Sequence, residues 1–162
     1  MKIQSEDKTN YITPETHTDD AVIAHALDIL EKRIQTPSNF ITCPEDSKNL
    51  LKLKTADLGH EVFMIMYLNN RHGVISYEEM FRGTVDGANV YPREIVKSAL
   101  RENAVAIIVA HNHPSGSVEP SQADLNITKC IKEACALVDI RLLDHFIIGG
   151  MQITSLAERG QL

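Results

Sequence analysis

The sequence predicts a three-layer α/β/α fold on a mixed β-sheet. Segments with a helical repeat alternate with short apolar runs, and two pairs of those runs are joined by turn residues as hairpins. Of the 162 residues, 43% are hydrophobic and 23% charged, enough Leu, Ile, Val and Ala for a sheet buried on both faces. Hairpins argue against a purely parallel, doubly wound sheet and for helices on both faces of a mixed one.

Residues 1–17 are polar and include Pro14, which predicts a flexible N-terminal arm followed by one domain over 18–162. In that domain, 18–58 supply leading helices and 59–162 the core. From Thr18, a suitable N-cap, the spacing of Val22, Ala26, Ile29, Leu30 and Ile34 predicts an amphipathic helix, with Asp19 and Asp20 in its first turn and Pro37 beyond its end. A shorter helix from about Glu45 to about Ala56 follows Pro44, with Leu50, Leu51 and Ala56 as its apolar side and Gly59 closing it. The run EVFMIMYL at 61–68, the turn residues Asn69, Asn70 and Gly73, and VISYEEMF at 74–81 predict a hairpin. After a loop with Gly83 and Gly87, Pro92 opens a helix that buries Ile95, Val96, Ala99 and Leu100 and ends at Asn103. AVAIIVA at 104–110 reads as a buried strand, Ser121 to about Val138 as a helix, and RLLDHFIIGG with MQITS as a second hairpin.

A formal charge of −6 gives no general attraction for nucleic acid or anionic membrane. No stretch has the length and apolarity of a signal peptide core or a membrane span, so the expected location is the cytoplasm. Cys43, Cys130 and Cys135 are odd in number and contain no Cys-x-x-Cys pair, which predicts reduced, packing thiols. His17, His25 and His72 read as solvated side chains.

The chemistry sits in HNHPSGSVEPSQAD, residues 111–124, between a buried strand and a helix. If the strand continues through Asn112, alternation points His111 and His113 to one side at its carboxyl end. Pro114 and Gly116 turn the chain, Pro120 prepares the next helix, and Asp124 arrives in its first turn. Two imidazoles and a carboxylate leave the fourth position of a tetrahedral Zn2+ free for water, the mark of a catalytic rather than a structural site. Ser121 and Asp124 also have the spacing of a capping box, which needs no metal, and the two roles are compatible.

HNHPSG followed by PSQAD resembles the RadC signature, a version of the JAMM pattern His-x-His-x7-Ser-x2-Asp, filled here by His111, His113, Ser121 and Asp124. The likeness runs over about residues 40–160 and includes FRGT at 81–84, YPREIV at 91–96 and LLDHFIIG at 142–149. It implies a JAB/MPN domain, similar to cytidine deaminases in its layers, with zinc metallopeptidase or isopeptidase chemistry on a peptide or protein substrate. It further implies that Glu61 is the general base and that Ser121 donates to the oxyanion. Glu78, Glu79 and Glu102 compete with Glu61 on charge alone. Asp144 and His145 lie outside the ligand pattern and read as structural first, although a buried His beside a carboxylate can also orient a ligand.

Two other readings stand beside the enzyme. One is a metal-containing JAB/MPN interaction module without catalysis. The other is a DNA-repair-associated, nucleic-acid-processing protein, for which Arg82, Arg93, Lys97 and Arg101 are the candidate contacts and which the net charge does not support. Full-length RadC proteins carry a helical module before the JAB domain, whereas about 40 residues precede the match here, so the chain resembles the short form. A nucleobase deaminase is excluded because its H-x-E and P-C-x-x-C pattern is missing.

Overall fold

The computed structural model describes residues 18–35, 44–55, 58–83 and 90–162. The expectations for the arm at 1–17, His17, Cys43, Ala56 and Gly87 lie outside them.

Four helices and five strands follow in the order α1 (Asp19–Gln35), α2 (Pro44–Thr55), β1 (Val62–Leu68), β2 (Val74–Arg82), α3 (Pro92–Arg101), β3 (Ala106–Asn112), α4 (Gln122–Ala136), β4 (Arg141–Gly149) and β5 (Gln152–Ser155). The sheet order is β2-β1-β3-β4-β5. Only β3 and β4 run parallel; the other neighbours are antiparallel, so the sheet is mixed as expected.

Alternation along the strands divides the core. Val62, Met64, Met66, Ala106, Ile108, Ala110, Phe146 and Ile148 pack under Leu50 and Leu51 of α2, with Leu27 and Leu30 of α1 beside them. Phe63, Ile65, Tyr67, Ile107 and Val109 pack under Ile95 and Ala99 of α3 and Ile131 and Cys135 of α4. Helices therefore cover both faces, and the three-layer α/β/α expectation holds.

Thr18 caps α1, its hydroxyl accepting from Ala21 N at 3.3 Å. The packed stripe of α1, however, is Ile23, Ala26, Leu27 and Leu30, while Val22 and Ile29 remain 53% and 38% exposed. The helical repeat admits two adjacent stripes, and the contact with α2 selects the second. Leu100 of α3 is likewise exposed, because the side facing the sheet is Ile95, Ser98 and Ala99. Ser98 there accepts a 2.8 Å hydrogen bond from the Tyr67 hydroxyl and also meets Glu78, which Arg101 pairs with.

Strand β3 begins two residues later and ends two residues later than the apolar run suggests, so it carries His111 and Asn112 inside the sheet. Asn112 continues the pairing with the start of β1 through its side chain: its Oδ1 accepts from Val62 N at 2.8 Å and its Nδ2 donates to His60 O at 3.1 Å. Cys130 and Cys135 are both free thiols, one exposed and one buried, as their spacing on one helix requires. Among the described residues no helix is long and apolar enough to cross a membrane.

Candidate metal centre

The site forms where β3 leaves the sheet. His111 is the last inward-facing residue of β3 on the α4 side and is buried, and His113 follows on the same side just beyond the strand, half-buried. The His113 backbone remains tied to β4 through its N–H to Ile148 O at 2.8 Å. Gly116 then turns the chain with φ +81. The turn presses on β4 so closely that a Cβ on Gly149 would lie 2.3 Å from Gly116 O. The loop thus delivers Ser117 O to His113 Nδ1 at 3.0 Å. A carbonyl only accepts, so Nδ1 carries a proton, and in the neutral ring Nε2 is bare.

Asp124 comes from the first turn of α4. Ser121 and Asp124 form a reciprocal capping box: Ser121 Oγ accepts from Asp124 N at 3.2 Å, and Ser121 N donates to Asp124 Oδ2 at 2.7 Å. The Ser121 hydroxyl donates to the same Oδ2 at 2.7 Å.

His111, His113 and Asp124 converge. His111 Nε2 lies 2.9 Å from His113 Nε2 and 3.1 Å from Asp124 Oδ1, and His113 Nε2 lies 3.6 Å from Asp124 Oδ2. Zinc bound to nitrogen and oxygen at about 2.0–2.2 Å spaces tetrahedral ligands about 3.4 Å apart, so these side chains fit such an ion with small adjustments. Burial alone would raise the Asp124 carboxyl, but the His111 and His113 rings and the Ser121 hydroxyl beside it outweigh that and hold the group well below the usual carboxylate range. The Asp124 carboxylate, with a smaller contribution from Glu61, raises His113 against the effect of its burial.

Glu61 stands immediately before β1, half-buried, and its carboxylate belongs to a group with His111 and His113 whose ligand atoms all lie within 4.8 Å of one another. The three side chains could hold a metal ion. The competing carboxylates are engaged elsewhere: Glu78 by Tyr67, Ser98 and Arg101, Glu79 by Arg82, and Glu102 by Ser76 and Arg101.

The pair Asp144 and His145, read as structural, divides in two. Asp144 accepts from His145 N, Ala157 N and the Ser155 hydroxyl, fastening β4 to β5 and the C-terminal turn. His145 points to the other face and stands behind the site, its Nε2 2.8 Å from His111 Nδ1 and its Nδ1 2.6 Å from the Thr128 hydroxyl. Phe63 closes this pocket, stacked on the His111 ring with centroids 6.1 Å apart and edge-on to His145 at 5.6 Å. His145, Thr128 and Ser117 have no motif of their own. Only the presence of His145 in a stretch resembling the RadC pattern hinted at it.

A mixed sheet with helices on both faces and an His-x-His strand end facing a helix-borne Asp defines a JAB-type α/β domain. This chain belongs to the RadC-like JAB domain family, whose model matches residues 41–161. It is 57% identical over 117 residues to a UPF0758 protein of Marinobacter nauticus, covering 72% of this chain and 52% of that protein. A UPF0758 protein of Cellvibrio japonicus is 52% identical over 124 residues, covering 76% of this chain and 55% of that one. Another, from Vibrio cholerae, is 47% identical over 152 residues, covering 94% and 95%. The chain thus spans about half the length of the first two and nearly all of the third. None of these names states an activity.

Proposed function

We propose that the chain is a JAMM-type zinc hydrolase that cleaves a peptide or isopeptide bond in a peptide or protein substrate. The observation that carries this reading is the convergence of His111, His113 and Asp124 within 3.6 Å of one another, with Glu61 facing the two imidazoles. His111, His113 and Asp124 would hold the ion. A divalent cation there supplies charge that acidifies water and polarises a carbonyl oxygen.

Two polar groups that share one water at ordinary hydrogen-bond length stand about 4.5 Å apart. The Glu61 carboxylate lies within 4.8 Å of both imidazoles, near enough to share a water with them, so it takes the proton of the attacking water and passes it to the leaving nitrogen. Ser121 holds its hydroxyl 2.7 Å from Oδ2 of the proposed ligand Asp124. Its N–H holds Asp124 Oδ2 independently of its hydroxyl, so the hydroxyl turns to the developing oxyanion while Asp124 stays anchored.

The candidate nucleic-acid contacts do not favour that alternative. Arg82 pairs with Glu79, Arg93 and Lys97 with Glu94, and Arg101 with Glu78 and Glu102, which cancels the positive field a phosphate backbone would need.

Metal analysis and cleavage of peptide and isopeptide libraries test the proposal. About one zinc per chain is expected, lost in His113→Ala, while Glu61→Gln keeps zinc and loses hydrolysis by about 10²–10⁴-fold. Tight zinc with no cleavage by the wild type would favour a binding module, and a wild type that takes up no zinc would sink the reading.

A further inference from the structure

We propose that His145, itself held by Thr128, is a positioning residue that locks His111 in the tautomer whose Nε2 can bind a metal ion. This deepens the metal-binding part of the reading above and rests on it.

Each proton along a buried chain of groups can be assigned. Thr128 stands one turn after Asp124 on α4, and its hydroxyl lies 2.5 Å from the Asp124 backbone carbonyl and 2.6 Å from His145 Nδ1. The carbonyl has no proton to give, so the single hydroxyl hydrogen goes to it, and the oxygen accepts from His145 Nδ1–H. His145 is fully buried and has no carboxylate against its ring, so it is neutral and its Nε2 is an acceptor. At 2.8 Å from that lone pair, His111 Nδ1 must carry a hydrogen. The reverse arrangement would set two buried lone pairs against each other with no proton between them.

What remains for His111 is a bare Nε2. With His113 neutral, it faces a second bare Nε2 at 2.9 Å and Asp124 Oδ1 at 3.1 Å. Three acceptors this close attract a cation, and the chain prevents His111 from relieving the strain by moving its own proton to Nε2. One helix therefore serves the site twice: Asp124 offers its carboxylate to the ion, and its backbone carbonyl starts the relay that ends on His111.

Two measurements test this. Long-range proton–nitrogen NMR spectra of the metal-free wild type should show His111 and His145 protonated at Nδ1 and bare at Nε2. Zinc affinity by chelator competition should fall about 10–100-fold in His145→Phe, which keeps the ring and its contact with Phe63 but removes the acceptor. His145→Gln, whose amide oxygen can accept from His111, should recover part of the loss, and Thr128→Val should weaken binding several-fold. A His111 proton found on Nε2, or zinc bound by His145→Phe as tightly as by wild type, would overturn the proposal. If His145→Phe does not fold, Thr128→Val and the wild-type spectrum decide. A wild type that binds no zinc defeats the functional reading, and the tautomer spectrum then judges the relay separately.

Discussion

Toward α2 the central strands present Met64, Met66, Ile108 and Ala110 to Leu50 and Leu51, whereas toward α4 the same strands run from Ile65 and Val109 into His111, with His145 and Thr128 beneath the helix. The first face is held mainly by apolar burial, which needs no particular orientation of any side chain. The second places polar groups where water does not reach, which costs stability unless every proton finds an acceptor. Each buried nitrogen behind the site has such a partner. One side of the sheet supplies stability, and the other gives some of it up to bring two imidazoles and a carboxylate to one point.

Acid should expose that difference most strongly. Burial, helped by the nearby His111 and His113, pushes the His145 ring down to about 3. An unfolded histidine takes its proton near 6.5, so His145 contributes stability above that pH and loses it as pH falls toward 3. His113 acts with the opposite sign: its raised pKa contributes stability that is complete below about 6.5 and is lost as pH rises through the raised value. Urea unfolding of the metal-free protein between pH 6 and 4 should therefore show a steeper acid loss in wild type than in His145→Phe, by up to about 1.4 kcal/mol per pH unit. Equal slopes would mean that His145 is not a neutral buried group, and the two faces would differ less than described.

Gly149 offers a second test, on the loop rather than the core. A methyl group there meets the Gly116 carbonyl, a backbone atom with no rotamer to change. In Gly149→Ala the 113–117 turn must retreat, taking with it the Ser117 carbonyl that holds His113 Nδ1. A stability loss of about 1–3 kcal/mol is expected from the overpacking, together with weaker zinc binding. Lost stability with unchanged zinc affinity would show that His113 does not depend on this loop.

The layers were legible because periodicity reports burial directly, and burial is what the α2 face consists of. The His111 and His113 pair was legible for the same reason, since strand alternation alone puts them on one side. Asp124 could be placed by helix start signals, although its capping role with Ser121 was equally visible. For His145 a ligand-orienting role was legible only as the second reading, because its contact with His111 depends on β4 lying parallel beside β3, a pairing between residues far apart in sequence. The Gly149 contact is hidden likewise: Gly149 and Gly150 read as a hairpin turn, but only Gly150 takes a positive φ, while Gly149 is needed for the close approach of another loop.

The smallest effect belongs to the outer surface of the α2 side. Val22 fits the helical repeat of α1 as well as Ala26 does, yet it stays 53% exposed while Leu27 and Leu30 pack on the core. α1 is also tied down by a polar contact, Glu31 accepting from the Tyr77 hydroxyl at 2.5 Å and pairing with Lys54 at 2.9 Å. Serine has nearly the helix propensity of valine, so Val22→Ser removes only a partly solvated isopropyl group. Its cost should stay within about 0.5 kcal/mol, with zinc affinity unchanged. A loss well above 1 kcal/mol would mean that the other stripe of α1 is the buried one, and the face held by apolar burial would then extend one helix surface further than Leu27 and Leu30 indicate.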